Sequence, residues 1–335
     1  MPKRIVYDHH HDGIDRRGFL ECMAWAGAGA LCVLSGGVLK SYALTDPRQM
    51  KDAMATADAG FSFVQISDSH IGFNKAANPD VAATLQAAID KVNALPTPPA
   101  FILHTGDITQ LSKPDEFDTA EQLLKGLKTE QIFFVPGEHD VLDGTGKLYR
   151  ERHGMSSEGD GWYSFDSHGT HFVGLVNVLN LKAGGLGFLG PEQLEWLEKD
   201  LKPLSSSTPI VVFAHIPLWS VYPDWGWGTD DSAQALSLLR RFGSVSVLNG
   251  HIHQTMLKVE GNVTFHTALS TAFPQPAPGT PGASPGPLTV PAGQLRQMLG
   301  IAQVNFVQGR HALAVTDSTL AENDARPTVE IGRGQ

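Results

Sequence analysis

Five short sequences in this chain of 335 residues combine carboxylates with imidazoles. They are Ser67-Asp68-Ser69-His70, Gly106-Asp107, Gly137-Glu138-His139-Asp140, Ala214-His215 and Gly250-His251-Ile252-His253. Imidazole nitrogen and carboxylate oxygen suit Mn, Fe, Zn, Co or Ni; thiolates are missing from the motifs, and no all-oxygen cage for Mg or Ca is offered. Two such ions about 3.5–4 Å apart need a bridging carboxylate and several ligands on each side. A pair of this kind polarises phosphoryl oxygens and acidifies a bridging water, so hydroxide is available near neutral pH for in-line attack on phosphorus. Singly the motifs are weak: D-x-H arises by chance, a lone buried histidine is usually a satisfied core residue, and Gly-Asp is more often a turn than a ligand. Five in order, each behind its own apolar strand, point to a metal centre.

The elements that must position these groups alternate. Residues 61–67 read as a strand, and 79–94 as a helix after Asn78-Pro79, with Val81, Leu85, Ala88, Ile89 and Val92 on one face. A strand over 100–104, a helix over 115–127 and a strand over 131–135 continue the series, which predicts parallel βαβ units. In such sheets ligands bind at the C-terminal edge of the strands, where all five motifs fall. The middle changes character: 162–165 and 171–176 read as a hairpin around Ser167-His168-Gly169, and 191–201 as a helix opening on Pro191. Strands follow at 210–214, 245–249, 255–259 and 263–268, with a helix at 232–242. Residues 273–292 are Pro/Gly-rich and read as a loop. A short helix near 293–299 and a hairpin of 302–307 with 312–316 form a tail expected to pack on the main domain.

The ordered set resembles the calcineurin-like metallophosphoesterase family, whose pattern is D-x-H, GD, GNH[DE], H and GHxH. The resemblance runs from Phe61 to about His266 and is nearest to the class III cyclic-nucleotide phosphodiesterase branch. It is weaker toward purple acid phosphatases, whose tyrosine ligand shortly after GD is absent; Gln110 stands there. The resemblance implies an α/β fold, a four-layer αββα sandwich with two central mixed sheets. It implies that Asp68, His70 and His253 hold a first metal, that Asp107 bridges, and that His215 and His251 hold a second. It also implies that His139 donates a proton or hydrogen bond to the leaving oxygen and that Asp140 orients His139. The cofactors are then two transition-metal ions (Mn, Fe or Zn). The activity is hydrolysis of a small phosphodiester or phosphomonoester by a metal-bridging hydroxide, in a narrower reading a cyclic nucleotide.

One position departs from the pattern: Glu138 stands where the family has Asn. Glutamate can still ligate the second metal, with added negative charge and one more methylene of reach. Three consequences stay open: preference for a harder ion such as Fe(III) or Mn, a less acidic metal-bound water, or weak hydrolysis in an exported metal-binding protein. A bystander role for Glu138 is the bland alternative. After His215, Trp219, Tyr222, Trp225 and Trp227 crowd the segment 217–231. They either wall a substrate pocket, stacking on a base or shielding an apolar ester group, or anchor a long loop on the body.

The chain opens on an address. Arg16-Arg17 precede an uncharged Gly/Ala-rich run from Cys22 to Leu39, with Ser41 and Ala43 framing a cleavage point. The pair resembles a bacterial twin-arginine signal, which implies the twin-arginine export machinery as partner and the periplasm as destination. The run is too glycine-diluted for a permanent membrane span. Cys22 and Cys32, the two cysteines, leave with residues 1–43, so the mature chain has neither disulfides nor thiolate ligands. The organisation expected is signal 1–43, leader 44–60, catalytic domain 61–272, loop 273–292 and tail 293–335. Hydrophobic residues at 41% and charged residues at 18% fit a globular protein, and the net charge of −10 argues against a grip on nucleic-acid polymers.

Overall fold

In the computed structural model residues 30–35, 38–43, 61–154, 157–291, 293–306 and 313–321 are described. Strands β1 (Ala30–Ser35) and β2 (Val38–Ala43) pair antiparallel from Ala30↔Ala43 to Ser35↔Val38. They lie within the stretch read as an export signal, in a compact unit separate from the main one. Arg16, Arg17, the leader 44–60 and His311 fall outside the described residues.

The main unit begins with the expected alternation: β3 (Phe61–Ile66), α1 (Val81–Asn93), β4 (Ile102–His104), α2 (Pro114–Leu124) and β5 (Ile132–Phe134). Helix α1 starts where Asp80 accepts the Ala83 N–H at 3.0 Å, which satisfies one of the free donors of the first turn. It buries Val81, Leu85, Ala88, Ile89 and Val92, the face read from their spacing. Burying a side chain such as Leu85 or Ile89 contributes about 2 kcal/mol. Helix α2 starts where the buried Glu116 takes the Leu111 N–H at 2.7 Å. Strands β3, β4 and β5 are parallel.

Helix α3 (Lys147–His153) comes next. Its charged sequence lacks an apolar period; the buried Tyr149 anchors it, so the 3.6-residue rhythm gives no sign of it. Strands β6 (Tyr163–Ser167) and β7 (Thr170–Gly174) form the expected hairpin. Helix α4 (Pro191–Leu201), β8 (Ile210–Ala214), α5 (Ser232–Leu239), β9 (Val245–Asn249), β10 (Leu257–Glu260) and β11 (Val263–Thr267) follow. The chain closes with α6 (Leu295–Met298), β12 (Gly300–Phe306) and β13 (Leu313–Thr319). Residues 273–291 hold neither helix nor strand.

Two sheets result, in the orders β13-β12-β3-β4-β5 and β10-β11-β9-β8-β7-β6. In the second, β7, β8, β9 and β11 run parallel while the edges β6 and β10 are antiparallel. Apolar faces of α1 and α2 share one core with β3 and β4. Those of α4 and α5 share another with β7, β8 and β9. Between the sheets lies a layer of phenylalanines: Phe63 and Phe101 meet Phe172 at 5.4 and 5.2 Å, and Phe133 stacks on Phe165 at 3.7 Å. The α/β architecture is therefore the expected helix–sheet–sheet–helix sandwich. Its parallel strands β3, β4, β5, β8 and β9 each deliver a motif at the C-terminal end.

Candidate metal centre

The turns that leave these strands are tight and strained. Asp68, His70, Asp107, His251 and His253 adopt φ of 54°, 42°, 51°, 70° and 53°, and among the described non-glycine residues only Ser112 and His168 join them in the left-handed region. Such a conformation costs about 1–3 kcal/mol per residue and persists only where its surroundings enforce it. Here the enforcement is backbone hydrogen bonding. Asp68 N–H donates to Gly106 O at 3.0 Å, His70 N–H to Asp107 O at 2.9 Å, and His251 N–H to Asp68 Oδ1 at 3.1 Å. The turns also need glycine for space: a Cβ on Gly250 would collide with Ser67 Oγ and lie 2.6 Å from Asp68 Oδ2.

The side chains converge as the motifs predict. His253 Nε2 lies 3.2 Å from Asp68 Oδ1 and 3.3 Å from His70 Nε2, and His70 Nε2 is 3.5 Å from Asp107 Oδ2. On the other side of Asp107, His215 Nε2 is 3.4 Å from the same Oδ2 and 3.0 Å from Glu138 Oε2. Glu138 Oε1 is 3.0 Å from His251 Nδ1. Donor atoms of Asp68, His70 and His253 lie within 4.8 Å of one another, as do those of Glu138, His215 and His251. Asp107 belongs to a group with His70 and His139 and to another with Asp68 and His215. Asp107 is thus the carboxylate between two ligand sets.

Two imidazoles are held with one nitrogen aimed inward. His215 Nδ1 lies 2.7 Å from Thr105 O and His253 Nδ1 2.6 Å from Phe273 O. A carbonyl only accepts, so Nδ1 carries the proton and Nε2 keeps its lone pair for the centre. His215 Nε2 and Glu138 Oε2 are buried and lie 3.0 Å apart, but with the His215 proton on Nδ1 two lone pairs face each other and neither atom has a hydrogen-bond partner. Unpaired buried polar atoms of this kind are costly unless an ion completes them, so the donor set fits a metal pair.

The electrostatics agree. Burial would push Asp68 up, yet His253, His215 and His70 pull it well below the usual carboxylate range. Against the same burial, His251 and His215 hold Glu138 well below its ordinary value. Burial depresses His215, but Asp107 and Glu138 outweigh it and raise the imidazole well above its usual value. Positive charge is therefore demanded between Asp107 and Glu138, and a metal replaces the proton there. His70 stays neutral, pushed down to about 3 by burial despite Asp107.

His139 stands at the edge of this cluster, its ring 4.9 Å from that of His70 and nearly perpendicular to it. The expected Asp140–His139 contact is not made. A 3-10 turn over Glu138–Asp140 sends the Asp140 carboxylate inward. There it accepts from Gly137 N–H at 3.0 Å, Ile108 N–H at 3.1 Å, Thr109 N–H at 2.8 Å and Thr109 Oγ1 at 2.9 Å. Asp140 knots the Asp107 loop to the His139 loop. The His139 ring is held instead by Gln110, whose carbonyl lies 2.7 Å and whose side-chain Nε2 lies 3.3 Å from Nδ1.

In the aromatic loop after His215, Trp219 and Trp227 follow the second of the two readings. Trp219 is 8% exposed, packed on Phe265 at 5.0 Å within the core beneath the second sheet, and Trp227 is 1% exposed. Trp225 stands edge-on to Trp227 at 5.1 Å, and Tyr222 to Trp225 at 5.2 Å. Trp219 and Trp227 have no face left for a substrate, so they anchor the loop. Two residues of the site were not singled out from sequence. His104 bonds Ser69 Oγ through Nε2 at 2.7 Å and so braces the D-x-H turn. Phe273 covers the rings of His70 and His253 at 4.7 and 4.8 Å.

The sequence profile of the Calcineurin-like phosphoesterase family matches residues 61–255. The chain belongs to that family. This phosphoesterase is similar to a 3',5'-cyclic-nucleotide phosphodiesterase of Nostoc sp., 26% identical over 218 residues, 63% of this chain and 79% of the relative. It is similar to a glycerophosphodiester phosphodiesterase of Enterobacter lignolyticus, 25% identical over 206 residues, 59% of this chain and 71% of the relative. A dimetal phosphatase from Danio rerio shares the fold at a TM-score of 0.57 and 17% identity, over 79% of the phosphoesterase and 100% of that structure. A purple acid phosphatase from yellow lupin does so at 0.58 and 14% identity, over 79% and 52%. The phosphoesterase is a metal-dependent hydrolase of phosphoric esters.

Proposed function

We propose that this phosphoesterase hydrolyses small phosphodiesters at a two-ion centre. Asp68, His70 and His253 hold one ion, Glu138, His215 and His251 the other, and Asp107 both. The observation that carries the reading is the place of Asp107 Oδ2, 3.5 Å from His70 Nε2 on one side and 3.4 Å from His215 Nε2 on the other. The ions supply positive charge to the phosphoryl oxygens and an acidified water as nucleophile. His139 serves the leaving group. Its Nδ1 proton is committed to Gln110 O, which leaves Nε2 to give a proton to the departing oxygen. In the metal-free chain burial lowers the His139 pKa, but Asp107 and Glu138 outweigh it and raise it overall.

A diester is preferred to a monoester on charge. The largest charge effects on Asp68, Asp107 and Glu138 come from histidines and, on Asp107, from the Glu138 carboxylate. A monoester dianion needs more positive charge than a singly charged diester. The named relatives, both phosphodiesterases, support the same choice, and cyclic nucleotides are the narrower candidate. Manganese, iron and zinc all suit the donor set.

The test is purified protein loaded in turn with Mn, Fe and Zn and offered bis-p-nitrophenyl phosphate, p-nitrophenyl phosphate and cyclic AMP. Diester turnover at least tenfold above monoester turnover is expected. Two bound ions per chain with no ester turned over would overturn the reading and favour a metal-binding protein. Export by the twin-arginine route to the periplasm is proposed on Arg16-Arg17 and the apolar run behind them. Replacing both arginines by lysine should leave the full-length chain in the cytoplasm of its host; unchanged export would remove that proposal. Among the described residues no helix is long and apolar enough to cross a membrane.

A further inference from the structure

The Pro/Gly-rich stretch does not leave the metal centre; it is tied back to it. Ser270 Oγ donates to Asp68 O at 2.8 Å and Thr271 N–H to Ser67 O at 3.1 Å. Phe273 O receives His253 Nδ1, as described above. Two residues further on, Gln275 makes contacts that neither its composition nor its neighbours announce. Its Nε2 donates to the carbonyl of His251 at 2.8 Å, and its Oε1 accepts from Gly286 N–H at 3.0 Å.

The joint is reciprocal. Gln254, next to His253, donates through Nε2 to the carbonyls of Gln275 and Pro276 at 3.0 and 2.8 Å. Leu288 N–H reaches Pro274 O at 2.8 Å, which closes the base of a loop over residues 275–287. That loop contains no charged residue.

His251 is among the strained ligand residues, at φ 70°, and its carbonyl belongs to the peptide that leads into Ile252 and His253. A strained turn keeps its conformation only through the bonds around it. On the amide side His251 N–H is held by Asp68, and on the carbonyl side the donor is Gln275. Removing the side-chain amide frees one end of the turn that carries two ligands.

We infer that Gln275 is a positioning residue: it holds His251 by its carbonyl in the second half of the metal centre and fastens the uncharged loop 276–287 to that ligand. The inference rests on the two-ion reading. Groups that orient a metal ligand typically contribute about 10–100-fold to affinity. The second ion should therefore be lost about tenfold faster from the variant, while the ion held by Asp68, His70 and His253 remains.

The experiment uses the full chain loaded with Mn, followed during competition with a weak chelator by metal analysis and by the electron paramagnetic signature of a coupled Mn pair. Gln275→Ala removes both side-chain contacts. Gln275→Glu keeps an acceptor for Gly286 N–H but sets a carboxylate oxygen against the His251 carbonyl. Both should lose the coupled-pair signal and one ion per chain about tenfold sooner than the wild type, with the thermal midpoint of the chelated protein unchanged. Wild-type kinetics of ion loss in either folded variant would overturn the inference while leaving the two-ion reading intact. A wild-type chain that binds fewer than two ions would overturn that reading and the inference with it.

Discussion

The Glu138 carboxylate spans the two histidines of one ligand set, with Oε2 at 3.0 Å from His215 Nε2 and Oε1 at 3.0 Å from His251 Nδ1. This is the position at which the chain departs from the family pattern, and the carboxylate lies between the two rings rather than away from the cluster. The extra methylene lets one carboxylate reach both rings, where an asparagine would present a single neutral oxygen and an amide that repels a cation.

Glu138→Asn is therefore expected to weaken retention of the ion between His215 and His251 by roughly 100-fold to several-thousand-fold, since removing one partner from a buried charge pair costs about 3–5 kcal/mol and each 1.4 kcal/mol is tenfold. The ion at Asp68, His70 and His253 should stay. Chelator competition followed by metal analysis reads both ions at once. Equal retention in variant and wild type would show that the carboxylate is no ligand.

Asp140 supports a second prediction. Its carboxylate accepts from three backbone N–H groups and one hydroxyl, all on the loops that carry Asp107 and His139. Burial and the Asp107 charge push it up to about 7, against the pull of those donors. Asp140→Asn replaces one acceptor oxygen with an amide that faces donors, and a buried donor left unpaired costs about 1–3 kcal/mol. Urea unfolding should show that loss. The His139→Ala variant, which leaves the knot in place, should keep wild-type stability while losing turnover. Asp140→Asn with wild-type stability would refute the knot.

The main sheet strands and the rim of ligands were readable because each motif directly follows an apolar run, and strand direction then carries all of them to one edge. The face of α1 was readable because five apolar residues repeat at helical spacing. The support behind the ligands left no such trace. His104 meets Ser69 across 35 positions and Gln275 meets His251 across 24, and a single long-range hydrogen bond has no period to detect. Asp140 misled for the opposite reason: adjacency to His139 implied a hydrogen bond, whereas its carboxylate is taken up by the N–H groups of Gly137, Ile108 and Thr109. Gln110 meets His139 Nδ1 with its carbonyl at 2.7 Å and its side-chain Nε2 at 3.3 Å, across 29 positions, again a contact without a period.

The tryptophans after His215 divide into anchors and a rim residue. Trp219 and Trp227 are buried, while Trp225 is only half-buried against Trp227. Truncating a buried tryptophan costs about 3–5 kcal/mol. Trp219→Ala should lose that much in denaturant unfolding, with any loss of turnover following from stability. Trp225→Ala should fold normally and change KM for a diester by less than about threefold, roughly the effect of 0.6 kcal/mol. A tenfold rise in KM for Trp225→Ala at unchanged stability would restore that residue to the substrate pocket.

Away from the centre, His171 on β7 sits between two carboxylates, Nδ1 at 2.8 Å from Asp166 Oδ1 and Nε2 at 2.9 Å from Asp200 Oδ2. Both ring nitrogens face acceptors, so the doubly protonated ring fits best. Burial lowers its pKa, but Asp200 and Asp166 outweigh burial and raise it. A histidine whose pKa is raised on folding contributes stability that is complete below the unfolded value of about 6.5 and is lost as pH rises through the folded value. The strand β6, which carries Asp166, and helix α4, which carries Asp200, are thus held to β7 more firmly at pH 6 than at pH 8. Thermal unfolding of the chelated protein should show a midpoint that falls across that interval, and His171→Gln should flatten the fall by removing the titrating group. If the wild type and His171→Gln lose stability in parallel from pH 6 to 8, the charge on His171 does not hold these elements together.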